Sequence, residues 1–217
     1  MKSDNITKAY KLSENIYDDV LTQRSFWSKL YISLFWGVDD NKIAADVLSM
    51  IPEDFSGKLL DVPVGTGVFT NKKYGELNTA QIDCIDYSEA MISQAKQRFS
   101  LLPNVNCCQG DVGNLPYSDE TFDIVLSMNG FHAFPDKERA FAETFRVLKK
   151  GGMFCGCFYI KGEKRMTDFV VNRFLSAKGW FTPPFQTKTE LEKKLHLLYA
   201  SVELNNNKSM AYFCCRK

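Results

Sequence analysis

The sequence predicts an α/β fold: a mostly parallel seven-stranded sheet with helices on both faces, a C-terminal antiparallel hairpin and an N-terminal helical lid. Three observations carry this. Between residues 58 and 159, short unbroken apolar runs alternate with stretches of helical period, the pattern of parallel strands buried on both faces. After residue 200, two further runs flank Asn205-Asn206-Asn207-Lys208, a turn signal that pairs them antiparallel. The chain has 217 residues, 45% of them hydrophobic and 24% charged, enough to bury one full core as a single domain.

The elements follow in order. Tyr17, Leu21, Trp27, Leu30, Tyr31, Leu34 and Phe35 recur at roughly helical spacing. A second helix, capped by Asp39 or Asp40, runs to Met50 ahead of Pro52. Lys58–Val64 reads as a buried strand that ends in a Gly-rich turn, and Ala80–Ile85 as the next strand. Ser88–Phe99 is an amphipathic helix through Met91, Ile92, Ala95 and Phe99. Val105–Gln109 is a third strand, Asp111–Glu120 a polar loop, and Phe122–Met128 a fourth strand. Asp136 caps a helix to Lys149, which Gly151-Gly152 stops. Met153–Tyr159 is a fifth strand. Arg165–Ala177 is helical, 178–185 is an aromatic loop, and Thr187 with Glu190 forms a capping box for a helix to about Leu198. Ser201–Leu204 and Met210–Cys215 complete the hairpin. The single domain 1–217 thus divides into a helical cap (1–52), a ligand-binding sheet (58–159), substrate-side helices (160–200) and the terminal hairpin (201–217).

Composition narrows the function. With 27 basic and 26 acidic residues the net charge is +1, so no global field for a polyanion exists. The basic excess gathers in residues 161–217, where 11 Lys/Arg face 5 Asp/Glu. No apolar run approaches the ~20 residues of a membrane span, which predicts no integral membrane contact. The polar N-terminus lacks a secretory h-region, so a cytoplasmic location is expected. The seven cysteines form no Cys-x-x-Cys pair, and only His132 and His196 could join them. No metal is therefore expected, and the cysteines read as small core residues of a reduced protein.

The chemistry gathers at strand ends. Leu59-Leu60-Asp61-Val62-Pro63-Val64-Gly65-Thr66-Gly67 passes from a strand into a tight turn that can turn backbone N–H groups toward a ligand. Asp86 closes the second strand, where a carboxylate can accept from ribose hydroxyls. Asp111 follows the third, where it can accept from the exocyclic amine of a base. Three acids at successive strand ends point into the crevice where open α/β sheets bind ligands. Thr70 occupies the third glycine position of a dinucleotide fingerprint, and Asp61 would repel a pyrophosphate. The same charge suits a cationic amino group. A ligand with an amino-acid end, a ribose and an adenine is S-adenosylmethionine.

On these residues the sequence resembles class I S-adenosylmethionine-dependent methyltransferases, especially the type 11 and ubiquinone/menaquinone-biosynthesis-like branch with its Rossmann-like sheet. The matching pieces are Leu60–Gly67, Asp86-Tyr87-Ser88-Glu89-Ala90-Met91, Gly110-Asp111-Val112 with Leu115-Pro116 and Phe122-Asp123, and Arg146–Gly152. The resemblance implies an enzyme that transfers a methyl group by in-line displacement and releases S-adenosylhomocysteine. It assigns the methionine end of the cofactor to Asp61, Gly65 and Gly67, the ribose to Asp86 and the adenine to Tyr87, Asp111 and Val112. Met91 and Met128 complete the cofactor set. Pro63 departs from the glycine usual in such turns and removes an N–H donor there.

Positioning can supply most of the acceleration. His132, just past the fourth strand, is the candidate general base; His196 is expected to be structural. Tyr17, Phe26, Trp27, Tyr31 and Trp36, with Phe169, Phe174, Trp180, Phe181 and Phe185, suggest a pocket for a small apolar or aromatic acceptor. Met128-Asn129-Gly130 stands where a Pro-Pro-Tyr-type nucleobase motif would follow the fourth strand, so DNA is not an expected substrate. A non-catalytic binder of the same cofactor, and an RNA or protein acceptor, are the alternatives. A nicotinamide-dependent oxidoreductase is opposed by Thr70 and Asp61. A monomer or homodimer is expected.

Overall fold

A computed structural model describes residues 39–217. Its elements are α1 (Asp40–Ser49), β1 (Lys58–Asp61), α2 (Asn71–Glu76), β2 (Gln81–Asp86), α3 (Glu89–Arg98), β3 (Val105–Gln109), a short 3-10 turn (Val112–Asn114), β4 (Phe122–Met128), α4 (Lys137–Val147), β5 (Leu148–Tyr159), α5 (Arg165–Val170) continuing into a π-helical turn (Val171–Leu175), α6 (Lys188–Leu198), β6 (Ser201–Asn207) and β7 (Met210–Arg216). The sheet order is β3-β2-β1-β4-β5-β7-β6. The first five strands of the chain pair parallel, and β7 runs antiparallel to both β5 and β6.

Period-two alternation explains why the strands are apolar throughout. Leu59, Ile124, Leu126, Met153 and Cys155 point to one face, where Ile43 and Val47 of α1, Ile92 and Ala95 of α3, and Val170, Val171 and Leu175 complete a core. Leu60, Val125 and Phe154 point to the other, against Ala140 and Phe141 of α4 and Leu191 and Leu195 of α6. The described part of the expected N-terminal cap, α1, thus packs on the sheet as scaffold. The lid candidates Tyr17, Trp27 and Tyr31, and the rest of residues 1–38, lie outside the described residues.

Several expectations are corrected. β1 ends at Asp61, so Val62–Val64 belong to the turn. α4 ends at Val147, and β5 begins at Leu148 rather than Met153. Gly151 and Gly152 therefore lie inside a strand, at a register irregularity opposite Phe122–Ile124. Gly151 adopts φ +73° and its N–H donates to the Lys217 carbonyl at 2.8 Å. The expected hairpin turn at Asn205–Lys208 is instead Lys208-Ser209, because Asn205, Asn206 and Asn207 continue the ladder opposite Tyr212, Ala211 and Met210. On an edge strand with alternate residues exposed, asparagine costs little. The capping box forms as expected: the Thr187 hydroxyl accepts from the Glu190 N–H at 3.2 Å and the Glu190 carboxylate accepts from the Thr187 N–H at 2.7 Å.

Candidate functional site

The strand order reverses between β1 and β4, and outside their carboxyl ends lies a cavity of about 400 Å³. Such switch points are where open α/β sheets hold ligands. All nine positions assigned to the cofactor, Asp61, Gly65, Gly67, Asp86, Tyr87, Met91, Asp111, Val112 and Met128, line this one cavity. Phe69, Ser88, Asn129, Phe134 and Pro135, which carry no cofactor role in the sequence reading, line it too.

The turn after β1 takes its shape from its glycines. Gly65 has φ +59° and Gly67 φ +71°, a region open to glycine at no steric cost. At Gly67 space also matters, since a Cβ there would stand 2.3 Å from the Phe99 ring. Gly65 donates its N–H to Asp86 Oδ2 at 2.9 Å, and Ser88 N–H donates to Asp86 Oδ1 at 2.9 Å. Asp86 thus fastens the first turn to the second strand end, with lone pairs left over for a ligand. Ser88 itself caps α3, accepting from the Met91 N–H at 3.4 Å. Pro63 is accommodated by Gly130, because a Cβ there would lie 2.2 Å from Pro63 Cδ.

The carboxylates differ in setting. Asp61 is 1% exposed and accepts the Tyr74 hydroxyl at 2.7 Å. Burial pushes its pKa up to about 8; the Tyr74 bond opposes this, while Cys107 and Asp86 add to the rise. Asp86 is pushed by burial to about 6, held back by the N–H bonds it receives. Asp111 stands at the more open end and caps the 3-10 turn, accepting from Gly113 N–H at 2.8 Å. Tyr87 is half exposed at the lip. Both buried acids would ionise more readily beside a positive charge.

His132 sits apart from the cavity; its ring is buried and stacks on Phe181 at 4.1 Å between centroids. Tyr159 N–H donates to its Nδ1 at 3.3 Å, which occupies the proton-accepting nitrogen. Burial, with the Lys137 charge second, lowers its pKa to about 3. A base this weak, already hydrogen-bonded, is unsuited to take a proton near neutrality. The expected acceptor-pocket aromatics also disperse: Phe181 and Phe185 enter the core, whereas Phe169 and Phe174 face outward. Among the described residues, no group of His, Cys, Asp and Glu could hold a metal ion, and no helix is long and apolar enough to cross a membrane.

Fold and site define an α/β domain with a ligand-sized cavity at its switch point, lined by three aspartates. Comparison with known proteins makes this specific. Residues 60–156 match the family model described as a methyltransferase domain. Over 102 residues, 46% of this chain and 37% of the other, the sequence is 37% identical to the phthiotriol/phenolphthiotriol dimycocerosates methyltransferase of Mycobacterium tuberculosis. Over 108 residues, 49% of this chain and 45% of the other, it is 36% identical to the demethylmenaquinone methyltransferase of Staphylococcus epidermidis. Each match spans less than half of the relative's length. The fold is shared along nearly the whole chain with an S-adenosylmethionine-dependent methyltransferase of Thermotoga maritima, at TM-score 0.70 and 18% identity, covering 98% of this chain and 99% of that one. Residues 60–156 are thus similar in sequence to a methyltransferase domain, and the chain shares the fold of such enzymes.

Proposed function

We propose that the protein binds S-adenosylmethionine at the β1–β4 switch point and transfers its methyl group to a small apolar or aromatic acceptor. The observation that carries this is the convergence of Asp61, Asp86 and Asp111 on one cavity beside a turn with two left-handed glycines. The residues fit the group. Asp61, buried with Tyr74 as its hydrogen-bond donor, would accept from the amino group, whose positive charge offsets the desolvation of the carboxylate. Gly65 and Gly67 leave room for the chain at the turn. Asp86 would accept from ribose hydroxyls, Asp111 from the adenine amine, and Tyr87, Met91 and Val112 would pack on the base. When bound, S-adenosylmethionine supplies an electrophilic methyl carbon on a sulfonium sulfur. The chain's part is to hold the acceptor in line and keep water out. Met128, Asn129, Phe134 and Pro135 form the wall on the β4 side, where an acceptor would rest.

The cavity's titratable side chains, among the described residues, are the three aspartates and Tyr87. The reaction read here therefore rests on positioning more than on a dedicated histidine base. The matched relative that is named for demethylmenaquinone supports a quinone-like ring as acceptor. The test is calorimetry with S-adenosylhomocysteine and NAD, followed by turnover with a panel of ring acceptors. Binding of S-adenosylhomocysteine in the low micromolar range, roughly −8 kcal/mol at 1 μM, without NAD binding is expected. NAD binding, or cofactor binding with no turnover on any acceptor, would overturn the enzyme reading in favour of an oxidoreductase or a non-catalytic binder.

A further inference from the structure

The α5–π segment is apolar on two faces. Val170, Val171 and Leu175 are buried in the core, as a helix lying on a sheet requires. Its outer face should then be polar. Instead Met166 is 53% exposed, Phe169 58% and Phe174 52%. These are half of the six large apolar side chains left exposed on the described chain, gathered within nine residues. The π-helical turn makes them one patch. Ser176 N–H bonds to the Val171 carbonyl five residues back, and the wider turn sets Phe169 and Phe174, also five apart, with ring centroids 6.2 Å apart. Lone exposed leucines such as Leu101 and Leu197 need no explanation, but a contiguous Met-Phe-Phe face does.

The exposed charges on the segment itself are basic. Arg165, Arg173 and Lys178 are exposed on the same segment, and the Arg173 guanidinium lies over the Phe174 ring at 5.8 Å. The neighbouring acids are engaged in hydrogen bonds within the chain. Asp168 accepts from the Tyr159 hydroxyl at 2.6 Å and from Gly162 N–H at 3.0 Å, and Glu163 accepts from the Asn206 amide at 3.0 Å. An exposed aromatic face ringed by cations, on a short segment anchored by its opposite face, has the chemistry of an element that lies in a membrane interface.

We propose that Met166, Phe169 and Phe174, with Arg165, Arg173 and Lys178, dock the protein on the surface of an anionic lipid bilayer. The apolar side chains enter the boundary between headgroups and acyl chains, and the cations meet lipid phosphates and carboxylates. The segment leaves the carboxyl end of β5, the sheet edge at which the cavity opens, so docking brings the site to the membrane surface. That this lets the site draw an acceptor from the bilayer rests on the apolar-acceptor reading above; the docking itself does not.

The test is flotation of the full chain with phosphatidylcholine vesicles, with and without phosphatidylserine, in the absence of cofactor and acceptor. Binding is expected only with phosphatidylserine and should fall as salt is raised. Each of Arg165→Gln and Arg173→Gln should weaken it about fivefold, and Phe169→Ser with Phe174→Ser should abolish it while the melting temperature stays unchanged, since both rings face solvent. No binding to phosphatidylserine vesicles would overturn the proposal, and so would binding that survives the double phenylalanine replacement. A monomer–dimer equilibrium in sedimentation that this replacement removes, without vesicle binding, would make the face a contact between copies and equally refute it. Vesicle binding with no methyl transfer would leave docking standing and remove the proposed reaction alone.

Discussion

Replacing Asp61 by asparagine tests the electrostatics of the site directly. The carboxyl is 1% exposed, with the Tyr74 hydroxyl donating to it at 2.7 Å, and its pKa rises from 3.8 to about 8 through burial. A folded pKa above the unfolded one means that the protonated carboxyl favours the folded chain. This contribution is whole below pH 3.8 and is lost progressively as pH rises to about 8. Between about pH 5 and pH 8 the loss is on the order of 4 kcal/mol, at about 1.36 kcal/mol per pH unit. Asparagine has the shape of the protonated acid and accepts from Tyr74 equally well, but has nothing to ionise. Urea unfolding at the two pH values should therefore show Asp61→Asn gaining on wild type by several kcal/mol as pH rises. Asp86, raised to about 6, acts with the same sign in both proteins and cancels. With S-adenosylhomocysteine present the advantage should reverse, because the ammonium prefers a carboxylate. Near pH 7 about nine-tenths of Asp61 is protonated without ligand, so binding to wild type should release close to one proton, read by calorimetry in two buffers of different ionisation enthalpy. A stability difference that does not change with pH, or binding that releases no proton, would refute the picture of a buried acid awaiting a cation.

Four further outcomes follow. Asp86→Ala should weaken S-adenosylhomocysteine binding by on the order of 1.5–3 kcal/mol and also destabilise the apoprotein, since Gly65 and Ser88 lose their acceptor; unchanged affinity in a folded variant would remove Asp86 from the ribose. Gly67→Ala should cost about 1–2 kcal/mol from its left-handed backbone alone, with more from displacing Phe99, and a wild-type urea midpoint would contradict the turn geometry. Pro63→Gly should lower stability by about 0.4–1 kcal/mol through the unfolded chain and keep cofactor affinity; a tenfold loss of affinity would show that the proline ring against Gly130 shapes the site. His132→Gln should leave the pH–rate profile unmoved and lower the melting temperature through the lost Phe181 stacking, about 0.5–1.5 kcal/mol; a hundredfold rate loss at unchanged stability would restore it as a base.

Much of the fold was legible because parallel strands buried on both faces leave no room for polar interruption: Phe122–Met128 coincides with β4 to the residue. The strand-end aspartates were legible for the complementary reason, since an acid closing an apolar strand must have a partner. What sequence does not carry is pairing across the fold. Nothing near Tyr74 announces that its hydroxyl meets Asp61, thirteen residues earlier, nor that Gly130 is small because Pro63 lies on it. The setting of His132 was not legible, because its position after the fourth strand is set by the chain, whereas its direction is set by Tyr159 and Phe181, far away in sequence. Helix ends failed where tertiary pairing won: Leu148 leaves the helical pattern to join Phe122, before the glycines that local rules would choose.

The cavity wall and the aromatic loop are fastened together. Thr182 N–H donates to the His132 carbonyl at 2.9 Å, Lys137 Nζ donates to the carbonyls of Phe134 and Thr182 at 3.0 and 2.6 Å, and Phe181 lies flat on His132. A ligand that presses on Phe134 would act on this unit, and two residues from Thr182's attachment sits Trp180, its indole under the Lys178 ammonium at 5.0 Å. An ammonium over an indole shifts and quenches its emission, so in a variant with Trp27 and Trp36 replaced by phenylalanine, titrated ligand should change the Trp180 signal with no dye attached.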